Sequence, residues 1–284
     1  MKVLITGAGG MTGSELARQG LEREWDIVAL TKADLDVADA DKVEGIIGSE
    51  RPDVIINAAA YTAVDAAETD AETAMAVNAA GPQNIARAAR TSGAQLLHIS
   101  TDYVFDGEAT EPYAPEDRPA PINVYGESKL AGEMAIRDAC AEHVIVRTSW
   151  VYSHEGKNFV RTMLRSAEEK KEIKVVNDQY GCPTSSIDLA SALLCAANLM
   201  MRSYVTGTYH FCNAGSTTWF DFANAIFELQ GTSPQVTPIP STEFPTAAKR
   251  PRWSVLDTTS FQLAFGVEPR PWRDALKDTM ERLA

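Results

Sequence analysis

Positive charge is the first shortage. The chain of 284 residues carries 26 lysines and arginines against 39 aspartates and glutamates, a formal net charge of −13. Nucleic acids and anionic lipid surfaces draw proteins through clustered basic residues, so a balance of this sign excludes a broad electrostatic grip on either. A phosphate-bearing ligand must then be held locally. Cysteine and histidine are scarce as well. Cys140, Cys182, Cys195 and Cys212 show no Cys-x-x-Cys spacing, and His98, His143, His154 and His210 show no paired metal-ligand spacing, so no metal site is expected. The thiols read as buried or idle in a reducing compartment. No apolar run approaches the roughly 20 residues that span a bilayer. The opening "MKVLITGAGG" has one lysine and an apolar stretch that breaks at glycines, which reads as a first β-strand and excludes a signal peptide. A cytoplasmic protein, without nucleic-acid or membrane partners, is expected. Internal repeats and low-complexity tracts are missing too.

What is present is a regular alternation. With 45% hydrophobic and 23% charged residues, the chain is able to bury a full core as one large domain or two unequal lobes. Apolar runs "KVLIT" (2–6), "DIVAL" (26–30), "DVIINAA" (53–59), "QLLHIS" (95–100) and "HVIVRT" (143–148) are nearly continuous, as in strands buried on both faces. Between them "TGSELARQGLERE", "DADKVEGIIGSE" and "AETAMAVNAAGPQNIARAARTSG" have helical character. This β-α rhythm predicts an α/β fold, a Rossmann-like doubly wound parallel sheet, over residues 1–150. Residues 151–284 read mainly as a smaller C-terminal substrate-binding lobe, with some segments returning to the sheet. There, "KNFVRTMLRSAEEKKE" and "SSIDLASALLCAANLMM" read as helices, "GTYHFC" as a strand and "TTWFDFANAIFELQG" as a capped helix. "TSPQVTPIPSTEFPTAAKRPRW" reads as a proline-rich connector, and connectors of that length are functional or linker.

The first strand runs into Gly7-Ala8-Gly9-Gly10-Met11-Thr12-Gly13 and then a helix. Glycines at such a turn admit close approach of backbone N–H groups to a pyrophosphate at the positive helix end. Gly7, Gly10 and Gly13 give a G-x-x-G-x-x-G spacing that departs from the dehydrogenase fingerprint, since Thr12 fills its last glycine slot; a plain glycine turn is the competing reading. At the end of the second strand an acid would bind the ribose 2′-hydroxyl of NAD, whereas a base accommodates the 2′-phosphate of NADP. Thr31 and Lys32 stand there, with Asp34 and Asp36 just beyond, which favours NADPH and leaves NADH open.

Strand four ends in Ser100-Thr101-Asp102, and the carboxyl ends of such strands line the ligand crevice. A capped turn explains the same residues equally well. Tyr125 and Lys129 follow in "NVYGESKLAGE" at the start of a helix, four apart and therefore on one face. With 8 tyrosines in the chain this spacing arises easily by accident. A hydroxyl at the end of strand four, a Tyr-x-x-x-Lys helix and a dinucleotide turn together carry more weight than any one.

That combination resembles the extended short-chain dehydrogenase/reductase superfamily and, within it, the dTDP-4-dehydrorhamnose reductase family. The likeness runs nearly end to end, through "GAGGMTGSEL", "RPDVIINAAAYTAVDAAE", "STDYVFDG", "PINVYGESKLAGE", "VRTSWVY", "VVNDQYGCPT", "TTWFDFA" and "AKRP". It implies reduction of the 4-keto group of a nucleotide sugar by NAD(P)H, with Thr101, Tyr125 and Lys129 as the catalytic set. In that scheme Tyr125 is the general acid and Thr101 helps hold the carbonyl. Lys129 steadies the phenolate and bonds the nicotinamide ribose. A phenol of ordinary pKa near 10 is then expected to come down by about two to three units, roughly 3 to 4 kcal/mol.

The resemblance further implies that Gly10, Met11 and Thr12 meet the pyrophosphate, Asp36 and Val37 the adenine, and Ala60, Tyr61 and Thr62 the middle of the cofactor. Asp102 and Trp150 match substrate-contacting positions, although a tryptophan is otherwise a core residue by default. Lys249 and Arg250 of "AKRP" stand either as a local site for the nucleotide diphosphate or as a solvated connector. Some family members hold magnesium at a dimer contact; Glu15 matches one of its ligands, but "CPTSSIDLA" supplies only Asp188 where more acids belong. Magnesium-dependent dimerisation is therefore not expected, and monomer and homodimer both stay open. Competing readings are another nucleotide-sugar 4-ketoreductase or epimerase, and a non-catalytic dinucleotide-binding regulatory subunit.

Overall fold

The computed structural model describes residues 1–140, 142–169 and 172–283. In the first half β1 (Lys2–Thr6), α1 (Met11–Glu22), β2 (Asp26–Leu30), α2 (Ala40–Glu50) and β3 (Val54–Asn57) follow in turn. Two short helices, α3 (Val64–Ala67) and α4 (Ala71–Met75), lead through a π-helical stretch at Ala76–Ala80 into α5 (Gly81–Ser92). Then come β4 (Gln95–Thr101), α6 (Val124–Ala139) and β5 (His143–Thr148). In the second half are β6 (Val151–Tyr152), α7 (Phe159–Glu169), β7 (Glu172–Val176), β8 (Tyr180–Gly181), β9 (Thr184–Ser185) and α8 (Ser186–Met200). They are followed by β10 (Gly207–His210), β11 (Thr217–Thr218), α9 (Trp219–Gln230), β12 (Gln235–Ile239), α10 (Thr259–Phe265) and α11 (Trp272–Glu281).

The main sheet is parallel throughout, in the order β10-β5-β4-β3-β1-β2. Its strands are apolar at successive positions because both faces are covered. Val3, Ile5, Val54, Ile56, Leu97, Val144 and Val146 pack on one side with Leu16 of α1 and the apolar length of α8. Their neighbours Leu4, Ile55, Leu96 and Ile145 pack on the other with α2 and α5 and with Ile136 of α6. Each fully buried aliphatic side chain of this kind contributes about 1.5 to 3 kcal/mol. Helix ends follow their local chemistry. Asp39 caps α2 by accepting from Lys42 N–H, and Thr218 caps α9 by accepting from Asp221 N–H. α5 and α9 stop at Gly93 and Gly231, both in the left-handed region.

The second half serves both layers. β10 extends the sheet beside β5, with Thr208 opposite Ile145, and α8 packs on the sheet face. The remaining segments form a smaller lobe around Tyr152, Val160, Ile173, Val175, Phe222, Ile226, Trp272 and Leu276. Here the structure departs from the proline-rich connector read at 232–253. Residues Gln235–Ile239 pair in parallel with Glu172–Val176, Val236 opposite Ile173 and Ile239 opposite Val176. The β-branched Val236, Thr237 and Ile239 favour a strand, and Pro238 is tolerated because this ribbon has only two strands, each of them an edge. The helix read over 157–172 ends at Glu169; Lys170 and Lys171 lie outside the described residues, and Glu172 already belongs to β7. Among the described residues, no helix is long and apolar enough to cross a membrane.

Candidate active site

A cleft of about 820 Å³ opens along the carboxyl ends of β1, β3, β4 and β5 and is lined as well by Trp219 at the start of α9. Parallel strands all deliver their following loops to this edge, so residues far apart in sequence converge there. Its walls include Gly7, Gly10, Met11, Thr12, Gly13, Thr31, Lys32, Asp36, Val37, Ala60, Tyr61, Thr62, Thr101, Asp102, Tyr125, Lys129 and Trp150. Every cleft residue anticipated from the sequence is thus brought to one place.

At one end the glycine turn forms a cradle. Gly7 has φ +70°, and a Cβ there would lie 2.5 Å from the Ala59 nitrogen; one on Gly13 would collide with the Gly7 carbonyl. α1 starts at Met11 behind an N-terminal Gly10 that offers no side-chain cap, and it has no acid in its first turn. The leading amides of Met11, Thr12 and Gly13 therefore lack intrahelical partners and face the cleft with the positive end of the helix. These features suit a diphosphate. At the end of β2, Asp34 is occupied locally, its Oδ2 accepting from Thr31 N–H at 2.9 Å and from Thr31 Oγ1 at 2.7 Å. Asp36 Oδ1 accepts from Ala38 N–H at 3.0 Å. Lys32 remains exposed beside them.

At the other end lies the candidate chemistry. Asn123 caps α6, its Oδ1 accepting from Gly126 N–H at 2.8 Å, and its Nδ2 donates to the Lys249 carbonyl at 2.8 Å. This starts the helix at Val124 and carries Tyr125 and Lys129 on its first turns. Lys129 is 2% exposed, and its Nζ donates to the Ile99 carbonyl at 2.7 Å. Burial brings this ammonium down to about 8, while the Glu133 charge pulls it upward. Thr101 Oγ1 donates to Asp102 Oδ1 at 3.0 Å and accepts from Tyr103 N–H at 3.2 Å. Asp102 is buried, and its other oxygen, Oδ2, has no partner. Burial raises its carboxyl to about 7, against the hydroxyls of Ser254 and Thr101.

The phenol of Tyr125 moves opposite to the lowering expected from Lys129. Burial first and the Asp102 charge next push it up to about 12, with only the Thr101 hydroxyl pulling it down. Desolvation is the largest of these effects, and it favours the neutral form of a phenol. The phenol is consequently protonated at neutral pH, the state in which a proton donor must stand.

Behind the cleft a charged network holds α6 to the sheet. Glu133 accepts from Arg147 Nε at 2.8 Å and from its second guanidinium nitrogen at 2.7 Å, from Arg137 at 2.8 Å and from Ser100 Oγ at 2.6 Å. Burial alone would raise this carboxyl, but Arg147, Ser100 and Arg137 hold it below its ordinary value. The Arg147 guanidinium also sits 5.1 Å over the Phe105 ring.

Trp219, Thr148 and Lys157 also line the cleft; the first two lie in the stretches "TTWFDFA" and "VRTSWVY", but the sequence does not mark any of the three as a site residue. Trp219 stacks on Trp150 with ring centroids 3.5 Å apart and planes 7° from parallel. Trp150 itself has φ +48°, and Gly181 makes room for its indole, since a Cβ there would lie 2.5 Å from Trp150 Nε1. In sequence Trp219 stands only as an early helix residue, because nothing local brings α9 to the end of β5. Arg250 pairs with Asp65 at 2.7 Å, and Lys249 is exposed. Among the described residues no group of three or more histidine, cysteine or acidic side chains is placed to hold a metal. Glu15 is bound by Arg18 at 2.7 Å and by Gln19 at 3.3 Å, and Asp188 by Arg270 at 2.8 and 2.9 Å.

A doubly wound sheet whose glycine turn, Tyr-x-x-x-Lys helix and strand-end hydroxyl share one cleft defines a dinucleotide-binding oxidoreductase of the extended short-chain dehydrogenase/reductase type. Comparison with known proteins narrows this class. The family described as RmlD substrate binding domain matches residues 1–284. The dTDP-4-dehydrorhamnose reductase of Escherichia coli (strain K12) is 41% identical over 294 residues, covering 100% of this chain and 98% of the relative. The crystal structure of a dTDP-4-dehydrorhamnose reductase from Clostridium acetobutylicum superposes with a TM-score of 0.96 at 41% identity, covering 100% of this chain and 99% of that one. The Bacillus anthracis dTDP-4-dehydrorhamnose reductase, solved in complex with NADP, gives 0.94 at 40% identity, with 99% of each chain covered. The chain belongs to the dTDP-4-dehydrorhamnose reductase family.

Proposed function

We propose that this enzyme reduces the 4-keto group of dTDP-4-dehydro-L-rhamnose to the alcohol of dTDP-L-rhamnose, using NADPH in preference to NADH. The observation that carries the reading is the convergence of Thr101, Tyr125 and a buried Lys129 on the cleft whose far end is the glycine cradle. The names of its relatives support the substrate.

The cradle fits the diphosphate of a dinucleotide: Gly7 and Gly13 leave no room for a side chain, and three amides of α1 face the ligand. Gly10, Met11 and Thr12 bind it there, with Asp36 and Val37 beside the adenine and Ala60, Tyr61 and Thr62 along the middle. Lys32 meets the 2′-phosphate, since Asp34 is engaged by Thr31. When bound, the nicotinamide supplies hydride at its C4. Tyr125, held protonated by burial, gives its phenol proton to the carbonyl oxygen as that oxygen gains charge. Lys129 stabilises the phenolate left behind and bonds the nicotinamide ribose. Thr101 has one hydroxyl hydrogen, which it gives to Asp102 at 3.0 Å in the structure and turns to the ketone on substrate binding. Asp102 Oδ2, buried without a partner, takes a sugar hydroxyl, and the Trp150 face covers the deoxysugar. The region after residue 150 that closes over the sugar acts as the substrate lobe.

Oxidation of NADPH with dTDP-4-dehydro-L-rhamnose, followed by NMR of the product, tests the proposal. Turnover only with other nucleotide sugars points to a related ketoreductase or epimerase. Binding without turnover points to a regulatory subunit.

A further inference from the structure

His98 lies on β4 directly behind Lys129, is 0% exposed, and has no part in the scheme above. Its Nδ1 is 3.0 Å from Asn57 Nδ2, and its Nε2 is 3.4 Å from Lys129 Nζ. The direction of these contacts follows from Asn57. Asn57 Oδ1 accepts from the Ala59 backbone N–H at 3.1 Å and from Thr6 Oγ1 at 2.7 Å. A backbone N–H only donates, so the atom beside Ala59 is the amide oxygen and the atom beside His98 is the amide nitrogen. Asn57 Nδ2 therefore donates to His98 Nδ1. A neutral imidazole that accepts at Nδ1 carries its hydrogen on Nε2. That hydrogen faces Lys129 Nζ, a group that is itself a donor when charged.

We propose that Asn57 and His98 are a positioning pair for Lys129: Asn57 locks the imidazole with its hydrogen on Nε2, and the locked N–H denies the ammonium an acceptor on the sheet side. One ammonium hydrogen goes to the Ile99 carbonyl; on this proposal, with the sheet side closed to them, the others are left for Tyr125 and the cleft. His98 burial, with the Lys129 charge beside it, keeps the ring neutral well below its ordinary range, as the lock needs. The groups set against Lys129 are Glu133 of its own helix and, from β4, His98 and the Ile99 carbonyl. Arg147 of β5 and Arg137 hold Glu133, and His143 of β5 acts on His98. From the segments packed on α6, Glu68 accepts from Val124 N–H and Asn78 donates to Ser128 Oγ; Asp102 acts on Tyr125. Among these, His98 is the side chain that meets Nζ itself, at 3.4 Å.

The inference rests on Lys129 being the working amine, and its test keeps the two apart. Nitrogen-15 NMR of histidine side chains in the full-length enzyme, assigned by replacing His143, His154 and His210 singly with glutamine, reads the tautomer of His98 directly. A hydrogen on Nε2 is expected; a hydrogen on Nδ1 overturns the proposal whatever any variant does. In Asn57→Asp the carboxylate accepts from Nδ1–H, the tautomer flips, and Nε2 becomes an acceptor for Lys129. The turnover number at neutral pH is then expected to fall about tenfold, and the alkaline limb of its pH profile to move up by about one unit. The spectrum separates the flip from the effect of an added negative charge. A flipped tautomer with an unmoved limb and unchanged turnover overturns the positioning role. Full turnover in Lys129→Met would instead sink the assignment of Lys129, and leaves the NMR result standing.

Discussion

Glu133→Gln removes the charge that anchors the network behind the cleft while keeping its shape. Glu133 and Arg147 are 0% and 1% exposed and meet at 2.7 Å, so neither reaches solvent when the other is neutralised. The glutamine accepts with one oxygen only, and its NH₂ group faces a guanidinium that also donates. Removing one partner of a buried ion pair costs about 3 to 5 kcal/mol, because the remaining charge stays desolvated. At about 2 to 4 °C per kcal/mol for a chain approaching this size, Tm is expected to fall by roughly 10 °C. The pH dependence has a definite sign. The Glu133 carboxyl is held below its unfolded value, so its stabilisation is complete above an unfolded pKa of about 4.3 and is lost as pH falls through the lower folded value. Wild type and variant should therefore converge in acid. A second readout sits in the cleft: Glu133 is the charge that pulls Lys129 upward against burial, so without it the ammonium falls below about 8 and the alkaline limb of the turnover profile moves to lower pH. Chemical denaturation at several pH values and a pH-rate profile give both quantities. Unfolding free energies within about 1 kcal/mol of wild type near neutral pH, or a limb that moves upward, would refute this account of the network.

Three further outcomes follow from the cleft. Tyr125→Phe should lower the turnover number by several hundredfold, roughly the worth of a general acid, with cofactor affinity nearly unchanged in a fluorescence titration; near wild-type turnover removes Tyr125 from its role. Lys32→Ala should raise KM for NADPH about tenfold and leave KM for NADH in place, as expected for one charge-assisted contact to a 2′-phosphate; equal changes for both cofactors count against that contact. Gly181→Ala places a methyl group against the Trp150 indole. It should raise KM for the nucleotide sugar and destabilise the fold by about 1 to 3 kcal/mol, and an unaltered KM would free Trp150 from the substrate site.

The first five strands, the glycine turn and the Tyr125–Lys129 helix were legible in the amino-acid order because each is written in local terms. Runs such as "VLI" in β1 and "VII" in β3 state burial on both faces, and the Tyr-x-x-x-Lys step states a helix start with both groups on one side. The ribbon of β7 and β12 was hidden, since Gln235–Ile239 becomes a strand only through a partner more than sixty residues away, and its prolines speak locally for a loop. Trp219 was hidden for the same reason. The direction of the Tyr125 shift could not be read from spacing either. Sequence places a lysine one helical turn from a phenol, but burial in the folded chain, where the Tyr103 ring packs edge-on against Tyr125, raises the phenol. Local pattern thus determined which elements exist and which residues stand at their ends. Tertiary packing decided which of those ends meet, how deeply each charge lies, and therefore which proton each group holds, because desolvation and hydrogen-bond direction depend on neighbours brought in from distant parts of the chain.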